Sequence, residues 1–257
     1  MKKRSILGPR DISIFYMLQL HPALNSKQIA ELCFDDVSYE TARKRLRHLH
    51  QSGYMGAKTI ERKEEKGRPE RVYFLNAKAA QALANSKNIP EKAITIGAPN
   101  VKHQEYLLRL AQLHLAWQQT AKKEKLLSTF TTKRAIQSDD LDHSSKAMPH
   151  ADATITFTNK GAEKQTISVV LETGNLRPTR HWIPKITALL KTNLPILVVT
   201  TNRDRLDTLR KWTWPMLEQA GLSHERCMFM VYEEILRYGF LAISAYSTAG
   251  NAMKIPA

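Results

Sequence analysis

Basic and amide side chains recur on one face of a helix predicted for residues 38–51. The members of this face are Arg43, Lys44, Arg47, His48 and Gln51. Guanidinium and ammonium groups bind phosphate oxygens and guanine edges, and a glutamine amide can pair with adenine. The face is therefore predicted to bind double-stranded DNA, together with Ser38 and Tyr39 at the helix start. The alternatives are an ordinary solvated helix face and a protein–protein contact.

A basic β-hairpin is predicted directly after this helix, in residues 55–76. Strands at residues 59–62 and 71–75 flank a charged tip that contains Gly67. The hairpin cations are Lys58, Arg62, Lys63, Lys66, Arg68 and Arg71. Glu64 and Glu65 oppose the positive charge of the tip, so the strand flanks are expected to contact phosphates more than the tip does.

Two carboxylates, Asp152 and Glu172, lie on adjacent predicted strands in the second half of the chain. Carboxylate oxygens can hold Mg²⁺, and a bound metal can activate water for hydrolysis. Lys185, Arg177 or Arg180 could then stabilise the negative charge that develops. Asp152, Glu172 and Lys185 form the predicted catalytic set, with the two carboxylates as metal ligands. Lone carboxylates also occur at strand ends as solvated groups, and DNA binding by itself requires no cofactor.

The elements that position these side chains divide the chain into two domains. Two short helices, the cationic helix and the hairpin occur in the order of a winged helix-turn-helix. Ser26 is predicted to cap the second helix. The buried stripe of the cationic helix is predicted to be Tyr39, Ala42, Leu46 and Leu49. Because residues 85–100 contain prolines and asparagines without a helical period, we predict a winged-helix domain in residues 1–85, a linker in 86–100 and a second domain in 101–257.

The second domain is predicted to alternate helices with strands. The helices are predicted at residues 103–122, 179–191 and 203–220, and the strands at residues 127–132, 153–158, 166–173, 195–200, 228–231 and 241–245. Apolar runs at 167–171 and 196–199 are typical of central strands covered on both faces. The fold class is therefore α+β, a winged helix-turn-helix followed by an α/β domain. One of Trp212 and Trp214 must face away from the buried stripe of its helix, and we expect it to mark a protein contact.

The composition favours a polyanionic partner. Lysine and arginine number 39 against 24 acidic residues, which gives a formal net charge of +15. Cys33 and Cys227 lie far apart in apolar contexts and are expected to be buried thiols of a reducing compartment. His103 and His114 have no companion at metal-ligand spacing and are expected at a helix surface or partly buried. No apolar run has the length of a membrane span, so a cytoplasmic location is expected.

The second domain resembles the restriction-endonuclease-like fold, in which one acid and a following Glu-x-Lys bind a divalent metal. Asp152 and Glu172 match the acids, and Gly174 stands at the lysine position. More specifically, the chain is similar to the replication-relaxation family of plasmids and other bacterial mobile elements over residues 10–213. The similarity rests on the runs MPHAD (148–152) and LETG (171–174) and on Lys185, and His150 stands where the family has an aspartate.

This resemblance implies a role in plasmid replication, DNA relaxation or mobilisation, as an accessory to a separate DNA-cutting enzyme. The leading hypothesis is a double-stranded DNA-binding protein whose partner is a relaxase, a replication protein or a mobilisation protein. The sequence leaves open whether the protein assembles as a homodimer. The alternatives are a metal-dependent nuclease that uses Asp152 and Glu172 with Mg²⁺, and a winged-helix transcriptional regulator. A regulator would need a ligand pocket, and no phosphate-binding or dinucleotide-binding glycine motif indicates one.

Overall fold

The computed structural model describes residues 6–34, 36–60, 70–133, 150–158, 164–174 and 181–255. It shows an α+β chain that forms two compact units, one up to Leu115 and the other from Ala116. The division falls within the helix Val101–Glu124, so residues 86–100 belong to the first unit.

The described part of the first unit combines helices with a three-stranded antiparallel sheet. In chain order its elements are α1 (Pro9–Leu20), β1 (Leu24–Asn25), α2 (Ser26–Cys33), α3 (Tyr39–Gln51), β2 (Met55–Ile60), β3 (Glu70–Leu75), α4 (Ala77–Lys87) and the beginning of α5 (Val101–Glu124). The strand order is β1-β3-β2. The second strand of the predicted hairpin is confirmed, whereas the first begins at Met55 and so starts earlier than predicted.

Polar side chains and one glycine set the ends of α2 and α3. Asn25 caps α2 because its Oδ1 accepts the N–H of Gln28 at 2.8 Å, while Gln28 Oε1 accepts the N–H of Asn25 at 3.1 Å. The predicted cap, Ser26, is instead the first helical residue. Ser38 caps α3 because its Oγ accepts the N–H of Thr41 at 3.4 Å. Gly53 follows α3 with φ of 78°, a left-handed conformation that favours glycine at the end of a helix.

The core of the first unit confirms most of the predicted stripe of α3. Ala42, Leu46 and Leu49 are completely buried among apolar residues of α1, α2, α4 and the hairpin. Tyr39 was predicted in the same stripe, and this prediction is wrong because the side chain is 39% exposed. Its hydroxyl lies 2.8 Å from Ser26 Oγ at the surface, so the first turn of α3 does not enter the core.

The two faces of the β2–β3 hairpin contact different parts of the first unit. Residues alternate between the faces along a strand, and directly paired residues share one face. The face that packs against the helical core carries Met55, Ala57, Tyr73 and Leu75. The other face carries Ile60 and Val72, which pack with Ala23, Leu107 and Leu108. The start of α5 therefore covers the side of the hairpin that faces away from α3.

The described part of the second unit is built on a seven-stranded mixed sheet. After the end of α5 its elements are β4 (Leu127–Thr132), β5 (Ala153–Thr158), β6 (Lys164–Glu172), α6 (Ile183–Leu190), β7 (Ile196–Thr200), α7 (Arg203–Gln219), β8 (Cys227–Val231), α8 (Tyr232–Tyr238), β9 (Ala245–Ser247) and β10 (Ala252–Met253). The order is β10-β9-β8-β7-β6-β5-β4. Strands β6, β7 and β8 are parallel, and the other pairs are antiparallel.

Most of the predicted elements of the second unit are confirmed. The runs predicted to be central strands are β6 and β7, and every residue of β7 is buried. The strand predicted at residues 241–245 is wrong, because β9 begins only at Ala245, and α8 was not predicted. Gly239, with φ of 88°, ends α8 and directs Phe240 into the core. Among the helices that the structure describes, none is long and apolar enough to cross a membrane.

Candidate functional site

The outward face of α3 carries the predicted DNA-binding side chains. Lys44, Arg47, His48 and Gln51 are all exposed. Arg43 is half-buried on the flank of this face, where its Nη1 donates to Glu40 Oε1 at 2.7 Å. This hydrogen bond raises the pKa of Arg43. Because Glu40 and Arg43 offset each other, the remaining charge of the face comes from Lys44 and Arg47, with His48 beside them.

An ion pair that the sequence analysis missed ties α3 to the start of α1. Arg45 Nε donates to Asp11 Oδ1 at 2.7 Å, and Arg45 Nη2 donates to Asp11 Oδ2 and to the carbonyl of Ile6. The carboxylate is almost fully buried and also accepts the N–H of Gly8 at 2.7 Å. The hydrogen bonds that Arg45 donates to Asp11 raise the pKa of Arg45. A bidentate pair of this kind holds α3 in place, so Arg45 positions the cationic face and is not part of it.

The hairpin presents its two described cations on opposite faces. Arg71 is paired with Thr59 and lies on the face of Tyr73, which packs against the helical core. Lys58 is paired with Val72 and lies on the face that α5 covers. Both side chains are exposed. The other predicted hairpin contacts, Arg62, Lys63, Lys66 and Arg68, lie outside the described residues.

In the second unit, Asp152 forms an ion pair with the lysine predicted to assist it. Asp152 immediately precedes β5, and its Oδ2 accepts the N–H of Leu171 at 2.8 Å and Lys185 Nζ at 2.9 Å. The side chains of Lys185 and Asp152 are 21% and 14% exposed. Helix α6 therefore places a cation on this carboxylate.

Glu172 is neutralised by an arginine that the sequence analysis did not identify. Its Oε1 accepts the N–H of Gly174 at 2.9 Å and Arg205 Nη2 at 3.1 Å. The Glu172 side chain is only 2% exposed, and the Arg205 guanidinium lies 5.2 Å from the centre of the Trp212 ring. Arg205 reaches Glu172 because β6 pairs with β7 in parallel, Glu172 opposite Thr200, and α7 begins directly after that strand.

These two carboxylates form a poor ligand set for a divalent cation. Lys185 and Arg205 occupy oxygens of Asp152 and Glu172 that a metal would need. A metal bound through these two oxygens would displace both cations and leave them without their acidic partners, which is costly for groups as buried as these. Within the described ranges, no group of three acidic, histidine or cysteine side chains could hold a metal ion. The sequence alternatives Arg177 and Arg180 lie outside these ranges.

Comparison with protein families decides the affiliation of the chain. A family model described as replication-relaxation matches residues 15–148, just over half of the sequence. The chain belongs to the replication-relaxation family. Comparisons with curated proteins and with solved structures found no match. Membership indicates a role in replication or relaxation, and the matched range includes α3 and the hairpin but ends before Asp152 and Glu172.

The first unit of this replication-relaxation protein also contains a buried histidine pair. His21 Nε2 lies 2.9 Å from His114 Nδ1, and both side chains are at least 95% buried. Burial lowers the pKa of His21 well below its usual value, and the nearby His114 lowers it further. Burial also lowers the pKa of His114 to about 4. His114 therefore lies deeper than the sequence predicted, whereas His103 is exposed.

The cysteines of the replication-relaxation protein are both free thiols. Cys227 is completely buried on β8, as expected, and burial raises the pKa of its thiol to about 12. Cys33 at the end of α2 is partly exposed, so only one of the two matches the expected burial.

Proposed function

We propose that this replication-relaxation protein binds double-stranded DNA through α3 and the β2–β3 hairpin. The single observation that carries the proposal is the surface of α3. Lys44, Arg47, His48 and Gln51 are exposed there, while Leu46 and Leu49 on the opposite side are completely buried. A helix held in this way can present cations to phosphates and an amide to base edges.

The order of elements supports a winged helix-turn-helix as the scaffold. Helix α2 is followed within a few residues by α3, and α3 leads directly into the antiparallel hairpin. In such a domain the second helix of the pair enters the major groove. Helix α3 is then the groove-binding element, and the hairpin is the wing that contacts the phosphates beside it.

The process that we propose is replication or relaxation of a plasmid or another mobile element. The protein would act there as an accessory to a separate DNA-cutting enzyme, such as a relaxase, or to a replication or mobilisation protein. The ion pair of the nearly buried Glu172 with Arg205 supports an accessory role over a catalytic one. The second unit, a restriction-endonuclease-like domain in this proposal, would serve assembly or further DNA contact.

A metal-dependent nuclease is the second candidate function. One observation favours it: Lys185 Nζ lies 2.9 Å from Asp152 Oδ2, where a cation could stabilise charge during phosphodiester cleavage. The contact between Arg205 and the nearly buried Glu172 opposes it.

The test of duplex binding compares two full-length variants. Arg47→Ala removes an exposed cation from the centre of the cationic face, and Lys92→Ala removes an exposed cation outside α3 and the hairpin. We expect Arg47→Ala to weaken binding to duplexes selected from a random pool, and its salt slope to fall by about 0.9 for one lost phosphate contact. Lys92→Ala should bind like the unchanged protein. Failure of the unchanged protein to retard any duplex at low ionic strength would refute the proposal.

A further inference from the structure

A half-open cavity of about 420 Å³ lies on the surface of the second unit. It is lined by Asp207, Arg210, Lys211 and Trp214 of α7 and by Thr248 and Ala249 of the turn after β9. The last three of the four α7 positions follow Asp207 by three, four and seven residues, so all four share one face of the helix. The volume is within the range of sites that bind small molecules or single groups of a larger ligand.

The aromatic wall of this cavity is held in a defined orientation. The Trp214 indole is stacked on the His224 imidazole, with ring centres 4.1 Å apart and planes at 23°. His224 covers one face of the indole, and Trp214 lines the cavity beside this stack. The carbonyl of His224 also accepts the N–H of Thr248 at 3.1 Å and its hydroxyl at 3.2 Å. His224 therefore contacts both Trp214 and the turn after β9, the two sides of the cavity.

The charges of the cavity leave one cation for a ligand. Arg210 Nε donates to the carbonyl of Ser247 at 3.0 Å, and its Nη1 donates to Asp207 Oδ1 at 3.0 Å. Asp207 thereby neutralises the charge of Arg210, and the hydrogen bond to Ser247 holds the guanidinium at the turn after β9. Lys211 is exposed and forms an ion pair with no acid in the described part of the chain. The site thus combines a flat aromatic surface, one uncompensated positive charge and the carboxylate rim of Asp207.

We propose that this cavity binds one unpaired nucleotide of single-stranded DNA. The base would stack on Trp214, the adjacent phosphate would pair with Lys211, and Asp207 would accept a hydrogen bond from an N–H group of the base, such as the ring N–H of thymine. Stacking of bases on aromatic side chains beside cations is the common way in which proteins bind single strands. One uncompensated cation matches the single charge of a phosphodiester, whereas a free nucleotide carries a terminal phosphate of higher charge. The inference adds a single-strand site to the proposed duplex site and uses different residues.

The first experiment locates the contact in the full-length protein. An oligo(dT) that carries a photoreactive iodouridine is bound, irradiated and digested, and the modified peptide is identified by mass spectrometry. We expect crosslinking to Trp214. Crosslinking only to other residues, or binding of thymidine monophosphate without binding of oligo(dT), would overturn the proposal.

The second experiment measures affinity for oligo(dT). Trp214→Leu should weaken binding about ten-fold or more, because one base loses its stacking partner, while Trp214→Phe should retain most of the affinity. Lys211→Gln should reduce the salt slope by about 0.7, and Lys191→Gln, which removes an exposed lysine elsewhere in the unit, should leave it unchanged. Equal binding of oligo(dT) by Trp214→Leu and the unchanged protein would overturn the inference.

The same variants separate this inference from the proposed duplex function. Trp214→Leu should retain duplex binding, and Arg47→Ala should retain crosslinking of oligo(dT) to Trp214. If the unchanged protein binds no duplex but crosslinks through Trp214, the duplex proposal fails and the single-strand site stands. If duplex binding depends on Arg47 and no single strand is bound, the reverse holds.

Discussion

Glu172 and Asp152 show how single contacts alter the chemistry expected of a side chain. Each carboxylate stands where the resemblance to restriction endonucleases predicts a metal ligand, and each is bound by a basic side chain instead. Arg205 was absent from the predicted set because nothing in its local sequence distinguishes it from the other cations of α7. Its role follows from the register of β6 and β7, which brings the start of α7 to Glu172.

The substitution Glu172→Gln distinguishes an ion-pairing role of Glu172 from a catalytic role. We expect the unchanged protein to leave supercoiled plasmid intact with Mg²⁺ or Mn²⁺. The variant should lower the free energy of unfolding by about 3 kcal/mol, because it leaves the Arg205 charge buried without its acid. Thermal or denaturant unfolding measures this loss, with Glu218→Gln as the control at an exposed position of the same helix as Arg205. Metal-dependent cleavage that disappears in Glu172→Gln would instead establish the nuclease.

Secondary-structure elements determine which of the hairpin cations can act together with α3. Their positive charge alone placed Lys58 and Arg71 in one predicted DNA-binding set. The antiparallel register places Arg71 on the face that packs against the helical core and Lys58 on the face that contacts α5. A duplex bound by α3 would therefore lie closer to Arg71 than to Lys58.

Duplex binding by Arg71→Ala and Lys58→Ala, which each remove one positive charge from the hairpin, tests which face contacts the DNA. Arg71→Ala should weaken duplex binding and lower the salt slope by about 0.9, the value for one phosphate contact. Lys58→Ala should have the smaller effect on both quantities, because its side chain lies on the other face of the hairpin. Anisotropy titrations at several salt concentrations measure the affinity and the slope. Equal losses in the two variants would show that the duplex contacts both faces.

At the scale of the whole molecule, net charge and stability both depend on pH. The formal charge of +15 counts the histidines as neutral, and two of them form the buried pair His21–His114. A hydrogen bond between two imidazoles requires one ring to donate and the other to accept. Protonation of both rings would leave two donors facing each other in a buried site.

Acidification should therefore destabilise the first unit. The folded-state pKa values of His21 and His114 are lowered, the latter to about 4, so the unfolded chain takes up protons first as the pH falls below about 6.5. Stability is retained above pH 6.5 and is lost toward pH 4, by at most about 1.4 kcal/mol per pH unit for each histidine. Thermal unfolding followed across this range measures the loss.

The matched control for this prediction preserves the hydrogen bond without a titrating group. His21→Gln with His114→Asn can place an amide nitrogen near one of the two bonded ring atoms and an amide oxygen near the other. The double variant should lose less stability between pH 6.5 and 4 than the unchanged protein, and His103→Gln, at an exposed position, should behave like the unchanged protein. An identical pH dependence in all three proteins would remove the histidine pair as the cause.

The sequence by itself determined the elements and the side of α3 that carries its cations. Both follow from periodicity among neighbouring residues, and Leu46 and Leu49 were identified as buried for that reason. The same periodicity wrongly predicted that Tyr39 is buried. This residue lies in the first turn of α3, where burial depends on how other elements pack against the helix. The strand predicted at residues 241–245 failed because Gly239 and Phe240 change the direction of the chain.

Only the tertiary structure decided which charged groups meet. The contacts Arg45–Asp11, Arg205–Glu172 and His21–His114 join residues 34, 33 and 93 positions apart. The cavity beside Trp214 likewise requires α7 and the turn after β9 to come together. Such contacts depend on sheet register and helix packing, which periodicity within one element does not specify. The sequence could therefore indicate the cations of the proposed DNA-binding surface, but the folded chain determined which of its charges remain available to bind a ligand.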